Sequence, residues 1–94
     1  MAKERKKAIR AIFNTVCIKR DSYTCKVCPE TWTLEVHHIT NRNDMPNGGY
    51  VKANGITLCA KHHEDAEADV WSPDELYAMI GSSYEEAYKA SERL

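Results

Sequence analysis

The chain has 94 residues, 43% of them hydrophobic and 29% charged, with 13 Lys and Arg against 14 Asp and Glu. That length makes one small domain, residues 1–94, which buries only about 60 to 65 per cent of the surface its unfolded form exposes, so a core alone is marginal and a metal staple is the usual remedy. Four Cys and four His can supply one. The absence of a long apolar run or a secretory leader pattern leads us to expect a soluble, cytoplasmic protein without a membrane partner, where CxxC signifies metal or redox chemistry rather than a structural disulfide.

Charge is unevenly spread. Residues 1–21 hold Lys3, Arg5, Lys6, Lys7, Arg10, Lys19 and Arg20 against Glu4 and Asp21, whereas residues 64–94 hold nine carboxylates against Lys89 and Arg93. Polyanion binding is therefore expected at the N-terminal end and not at the C-terminal one; the competing reading of the basic run is a solvated helix face.

In chain order, Ile9, Ile12, Phe13, Val16 and Cys17 recur at spacings of three and four, an apolar stripe on a helix from about Lys3 to Lys19. Cys17 belongs to that stripe and reads as a buried small hydrophobe. "TCKVC" is a tight turn bringing Cys25 to Cys28, "TLEVHHI" a strand, and "NRNDMPNGGY" loop. "GITLC" is a second short strand, and from about Lys61 "KHHEDAEADV" turns helical. Two further helices have start signals: Ser72, Pro73 and Glu75 match an N-cap, first-turn proline and capping-box Glu, and Ser83 with Glu86 repeats the pairing. Leu76, Met79 and Ile80 supply one packing face, Tyr84, Ala87 and Tyr88 the other.

Cys25-x2-Cys28 and Cys59-x2-His62 are two half-sites flanking residues 29–58, and such pairs suit tetrahedral zinc. Redox chemistry is the rival for CxxC, but "CKVC" does not open a helix in a βαβ unit. His37, His38, Asn54 and His63 remain. Neighbours on a strand leave opposite faces, and neighbours on a helix diverge by about 100 degrees. One strand His and one helix His can thus converge on a second ion, with the other strand His free as a base; satisfied core or surface histidines are the rival reading.

"RDSYTCKVC", "LEVHHI", "NGITLC" and "CAKHH", in this order, resemble the HNH endonucleases, in their small, phage-encoded, zinc-stapled form. The resemblance covers about residues 20–67 and implies an α+β fold with a treble-clef-like ββα-metal core over about 20–70, an N-terminal helix and a C-terminal helical extension over about 72–94. Carried over, it implies that His37 and His63 bind a catalytic divalent ion, that His38 is the general base, and that Asn54, five before Cys59 and nine before His63, pins the loop and orients the base. The structural zinc would be held by Cys25, Cys28, Cys59 and His62, where many relatives have CxxCH. Some relatives place another ligand His where this chain has Glu67, a carboxylate suited to Mg2+ or Mn2+ and otherwise a solvated helix residue.

The implied activity is hydrolysis of DNA phosphodiester bonds, by nicking or double-strand cleavage, leaving 5′ phosphate and 3′ hydroxyl ends. Arg42, Lys52, Lys6, Lys7 and Arg10 are candidates for phosphate contacts, which position without reading sequence, or else are solvating charges. So short a domain leaves no room for a separate sequence-reading module, and the resemblance suggests a phage terminase or another specificity-giving partner. The alternative is a zinc-stapled DNA-binding or adaptor module that has lost catalysis.

Overall fold

Residues 2–94 are described in a computed structural model of the protein, with side chains from Arg5 onward; the side chains of Lys3 and Glu4 in the basic run lie outside the described residues. Four helices and one two-stranded antiparallel sheet make a small α+β fold over that range: α1 (Ala2–Arg20), β1 (Leu34–His38), β2 (Gly55–Cys59), α2 (Ala60–Glu67), α3 (Pro73–Met79) and α4 (Tyr84–Glu92). No described helix is long and apolar enough to cross a membrane.

The long first helix packs on the sheet through Phe13 and Cys17, both buried. Gly55 permits this approach, because a Cβ there would lie 2.6 Å from the Cys17 sulfur and 2.7 Å from the Phe13 ring. Burial pushes the Cys17 thiol up to about 11, so it stays protonated, as a core hydrophobe does. Of the rest of the expected apolar stripe, Ile9 is half-buried, whereas Ile12 is 61% exposed and Val16 also faces outward. One face of a helix lying across a two-stranded sheet meets the protein over a narrow arc, and Phe13 and Cys17, four apart, already fill it.

At its C-terminal end, α1 is tied to β2 by an ion pair between the half-buried Arg20 and the buried Asp21. Arg20 Nε and Nη2 donate to Asp21 at 2.8 and 2.7 Å, and Nη2 also donates to the Gly55 carbonyl at 2.6 Å. Asp21 Oδ2 accepts the Thr57 N–H at 3.1 Å. Both ions are thereby hydrogen-bonded, which is what a buried charge requires.

The strands pair from Leu34 opposite Cys59 to His38 opposite Gly55. Every residue of β2 is buried, because α1 and α2 cover its two faces. Between the strands, the expected loop folds into three short 3-10 turns at Arg42–Asp44, Pro46–Gly49 and Lys52–Asn54. Left-handed Gly49, at φ 66°, brings its backbone against Asn54, whose Nδ2 would lie 2.7 Å from any Cβ there. Asn54 Nδ2 instead donates to the Gly49 carbonyl at 3.2 Å.

The second helix starts at Ala60 and ends at Glu67, earlier than "KHHEDAEADV" suggests, with Asp69 at φ 60° turning the chain toward α3. Ser72 and Glu75 form the complete capping box, whereas at α4 Ser83 accepts from the Glu86 N–H without the reciprocal bond being present. Leu76 is buried as expected, with Tyr77 beside it. On α4 Ala87 is buried as expected, together with Ser91, but the expectation for Tyr84 and Tyr88 is corrected: both are exposed, their rings 5.9 Å apart. Small residues let α4 lie close against the turn at Pro46–Gly49, and the bulkier tyrosines remain outside.

Candidate metal centres and catalytic site

The sheet sends its two adjacent histidines to different places. From β1, His37 faces α2, its ring 5.2 Å from that of His63, while His38 faces α1, its ring 4.7 Å from both Phe13 and Tyr50. On α2, the same divergence separates His62 from His63. His62 Nδ1 lies 3.2 Å from Cys59 Sγ and 3.7 Å from Cys25 Sγ, and Cys28 Sγ lies 3.9 Å from Cys59 Sγ.

Cys25, Cys28, Cys59 and His62 thus bring one ligand atom each within 4.8 Å of one another, a cluster that can hold a metal ion. A zinc tetrahedron with Zn–S bonds of about 2.3 Å has S···S edges of about 3.8 Å, so the donors are spaced and typed for zinc. The turn carrying the first two cysteines is fixed by the backbone, with Cys25 N–H donating to the Glu30 carbonyl and Lys26 N–H to that of Thr57. Although burial acts to raise it, the Cys25 thiol falls to about 7, because backbone N–H groups around Val27 and Cys59, together with His62, favour the thiolate. Metal binding needs that form.

A second cluster combines His37, His63 and Glu67, again with one ligand atom each within 4.8 Å. His63 Nε2 is 3.2 Å and His37 Nδ1 3.7 Å from Glu67 Oε1. Two imidazoles and a carboxylate suit a borderline or hard divalent cation. The other nitrogen of His63, Nδ1, lies 2.6 Å from Glu35 Oε1. Glu35 was not singled out from the sequence, yet strand alternation places it on the face of His37, two residues before it. Burial, and then the neighbouring His63, lower the pKa of His37 against the pull of Glu67, so the His37 ring is favoured in its neutral form, with one nitrogen carrying the lone pair a metal needs.

His38 stands apart from both clusters. Burial first, and then the charges of His37 and Arg42, hold its pKa below the usual imidazole value, against an opposing interaction with the Gly48 backbone. Its Nε2 is buried without a hydrogen-bond partner. A neutral imidazole with a nitrogen that the fold leaves unused is a proton acceptor at neutral pH.

Asn54, wholly buried, holds the connection between the strands. Its Oδ1 accepts from Thr40 N–H at 3.0 Å and Tyr77 O–H at 2.7 Å, and its Nδ2 donates to the Thr40 carbonyl at 3.0 Å. The start of the connection, which carries Arg42, is thus locked to its end, just before β2 begins. Tyr77 brings α3 into this network and was read from the sequence only as part of a helix.

A cavity of about 550 Å³ is lined by His37, His38, Arg42, His63 and Glu67, with Trp71 beside them. A second, of about 670 Å³, is lined by Lys6, Arg10, Arg42, Arg5 of the same basic run and, unanticipated, Tyr50. Lys7 and Lys52 line neither; the Lys52 backbone carbonyl instead accepts from Arg20. Comparison with family models, curated proteins and solved structures yields no match to the chain.

Proposed function

We propose that the protein is a metal-dependent endonuclease of the HNH kind, with a treble-clef-like ββα-metal core, that hydrolyses DNA phosphodiester bonds. The observation that carries this reading is the double split: His37 and His63 meet with Glu67 in one cluster, His38 stays outside it on the same strand with its Nε2 unpartnered, and His62 joins the cysteines.

In this reading His38 takes the proton of the attacking water. Its lowered pKa keeps it neutral, and Phe13 and Tyr50 hold the ring so that little reorganisation is needed. His37, His63 and Glu67 would hold a divalent ion, Mg2+ or Mn2+ by their chemistry, which when bound supplies positive charge to the phosphoryl and departing 3′ oxygens. Glu35 on His63 Nδ1 fixes the ring so that Nε2 faces Glu67 and the cluster. Asn54 holds the connection that positions Arg42 at the cavity wall. The four Cys and His donors around the turn and α2 would hold zinc as a fold staple.

The test is nicking of supercoiled plasmid by the zinc-loaded protein with Mg2+, with Mn2+ and with EDTA. Ion-dependent conversion to open-circular or linear DNA is expected, and His38→Ala should lower the rate by on the order of 10² to 10⁴ while keeping fold and DNA affinity. DNA binding with no cleavage under any ion would favour the non-catalytic module instead. Wild-type nicking by a folded His38→Ala protein would remove His38 from the mechanism.

A further inference from the structure

The second cavity opens on the α1 side of the sheet and meets the first along Arg42 and Asn43, which line both. Arg5, Lys6, Arg10 and Arg42 converge on it, no acidic side chain lines it, and among the described residues none of the four is ion-paired. Like charges gathered without counter-charge repel one another, and a polyanion supplies what is missing. Tyr50 sits where this cavity reaches the base. Its ring stands edge-on to His38 at 4.7 Å and 90° and to Phe13 at 5.6 Å and 88°, and the Arg10 guanidinium lies 5.9 Å from its centroid. The neighbouring Arg42 guanidinium draws its hydroxyl below the usual phenol pKa, against burial and with help from Arg10.

We propose that Arg10, Arg42 and Tyr50 form a phosphate-binding subsite that grips the DNA backbone beside His38, with Arg5 and Lys6 extending the track along α1. The guanidinium forks supply paired donors for phosphate oxygens, and the phenol adds a neutral donor whose ring is fixed by its aromatic neighbours. The subsite takes from the nuclease reading only the identity of the polyanion. It assigns no contact to Lys7 or Lys52, although both belong to the same basic surface by sequence.

The experiment measures anisotropy of a fluorescein-labelled DNA duplex of about 20 base pairs with zinc-loaded protein and no other divalent ion, over about 50 to 200 mM NaCl. Circular dichroism and zinc content serve as fold controls. Arg10→Gln and Arg42→Gln should each reduce the slope of log K against log salt by about 0.9. Tyr50→Phe should weaken binding by about three- to tenfold without changing the slope, as loss of one neutral hydrogen bond does. Lys7→Gln and Lys52→Gln should leave the slope unchanged. Unaltered slopes in Arg10→Gln and Arg42→Gln would overturn the subsite, unaltered affinity in Tyr50→Phe would remove the tyrosine from it, and equal competition by polyglutamate would make the face a dock for acidic protein. Because no catalytic ion is present, the two readings fail separately. Absent nicking with altered slopes ends the nuclease reading and leaves the subsite; nicking with unaltered slopes does the reverse.

Discussion

Asn54 uses its amide on four partners at once, the N–H and carbonyl of Thr40, the carbonyl of Gly49 and the hydroxyl of Tyr77. Asn54→Ala would leave several buried groups unpaired at about 1–3 kcal/mol each, so a large fall in melting temperature and loss of cleavage are expected. Tyr77→Phe removes one hydroxyl and keeps the packing, and should cost about 1 kcal/mol in a urea melt. A melt of Asn54→Ala matching wild type would show that the network does not hold the connection. Asn54 was legible only through the resemblance, as the motif asparagine five before Cys59 and nine before His63. Tyr77 was not, because nothing in "DELYAMI" says which helix residue will meet a polar group contributed from the connection.

Asp21 gives the fold a pH dependence of known sign. Burial alone would raise its pKa, but the hydrogen bonds from Arg20 and Thr57 and the Arg20 charge outweigh that and hold it below the ordinary carboxylate value. A lowered folded pKa means that its contribution is complete above the unfolded value of about 4 and is lost as pH falls through the folded one. The difference in urea midpoint between wild type and Asp21→Asn should therefore be constant from about pH 5 to 8 and shrink below about pH 4. A difference that grows on acidification would contradict the assignment.

Helices and strands were legible wherever a periodic pattern coincided with a capping or turn residue. Both strands were read with nearly their observed bounds, and the Ser72 capping box was read in full. What failed was the extent of burial. The spacing of Ile9, Ile12, Phe13, Val16 and Cys17 defines a stripe, but how wide an arc of it packs depends on what the helix lies against, which is only two strands here. Likewise the tyrosines of α4 looked like part of a core face with Ala87, but the contact is made by Ala87 and Ser91.

The turn at Cys25–Cys28 has almost no regular hydrogen bonding of its own and is held mainly by Glu30 and Thr57. Its attachment to α2 therefore depends on the metal donors, and binding free energy there is folding free energy. Cys28→Ser, or removal of zinc with a strong chelator, should unfold the chain or leave it insoluble, as read by far-ultraviolet circular dichroism. Trp71, whose ring lies 5.9 Å from that of His62, gives an independent fluorescence signal. A cooperative, native-like melt of metal-free Cys28→Ser protein would contradict a staple.

Taken together, one short sheet and one helix set up two metal clusters by using adjacent residues in opposite senses. His37 and His38 separate because a strand alternates; His62 and His63 separate because a helix turns. Both separations, and two clusters that could each hold an ion, could be read from spacing and residue type. The orienting carboxylate Glu35, the caging ring of Tyr50 and the departure of Lys7 and Lys52 from the cavities could not, since each depends on where α1 and the connection settle on the sheet. The division of labour between His62 and His63 is the point on which the account turns, and paired alanine variants test it directly. Zinc stoichiometry, thermal stability and plasmid nicking would be measured on His62→Ala and His63→Ala. The account expects His62→Ala to lose zinc and melting temperature, and His63→Ala to keep both while losing ion-dependent cleavage; a His63→Ala protein that sheds its zinc while His62→Ala retains it would contradict the assignment.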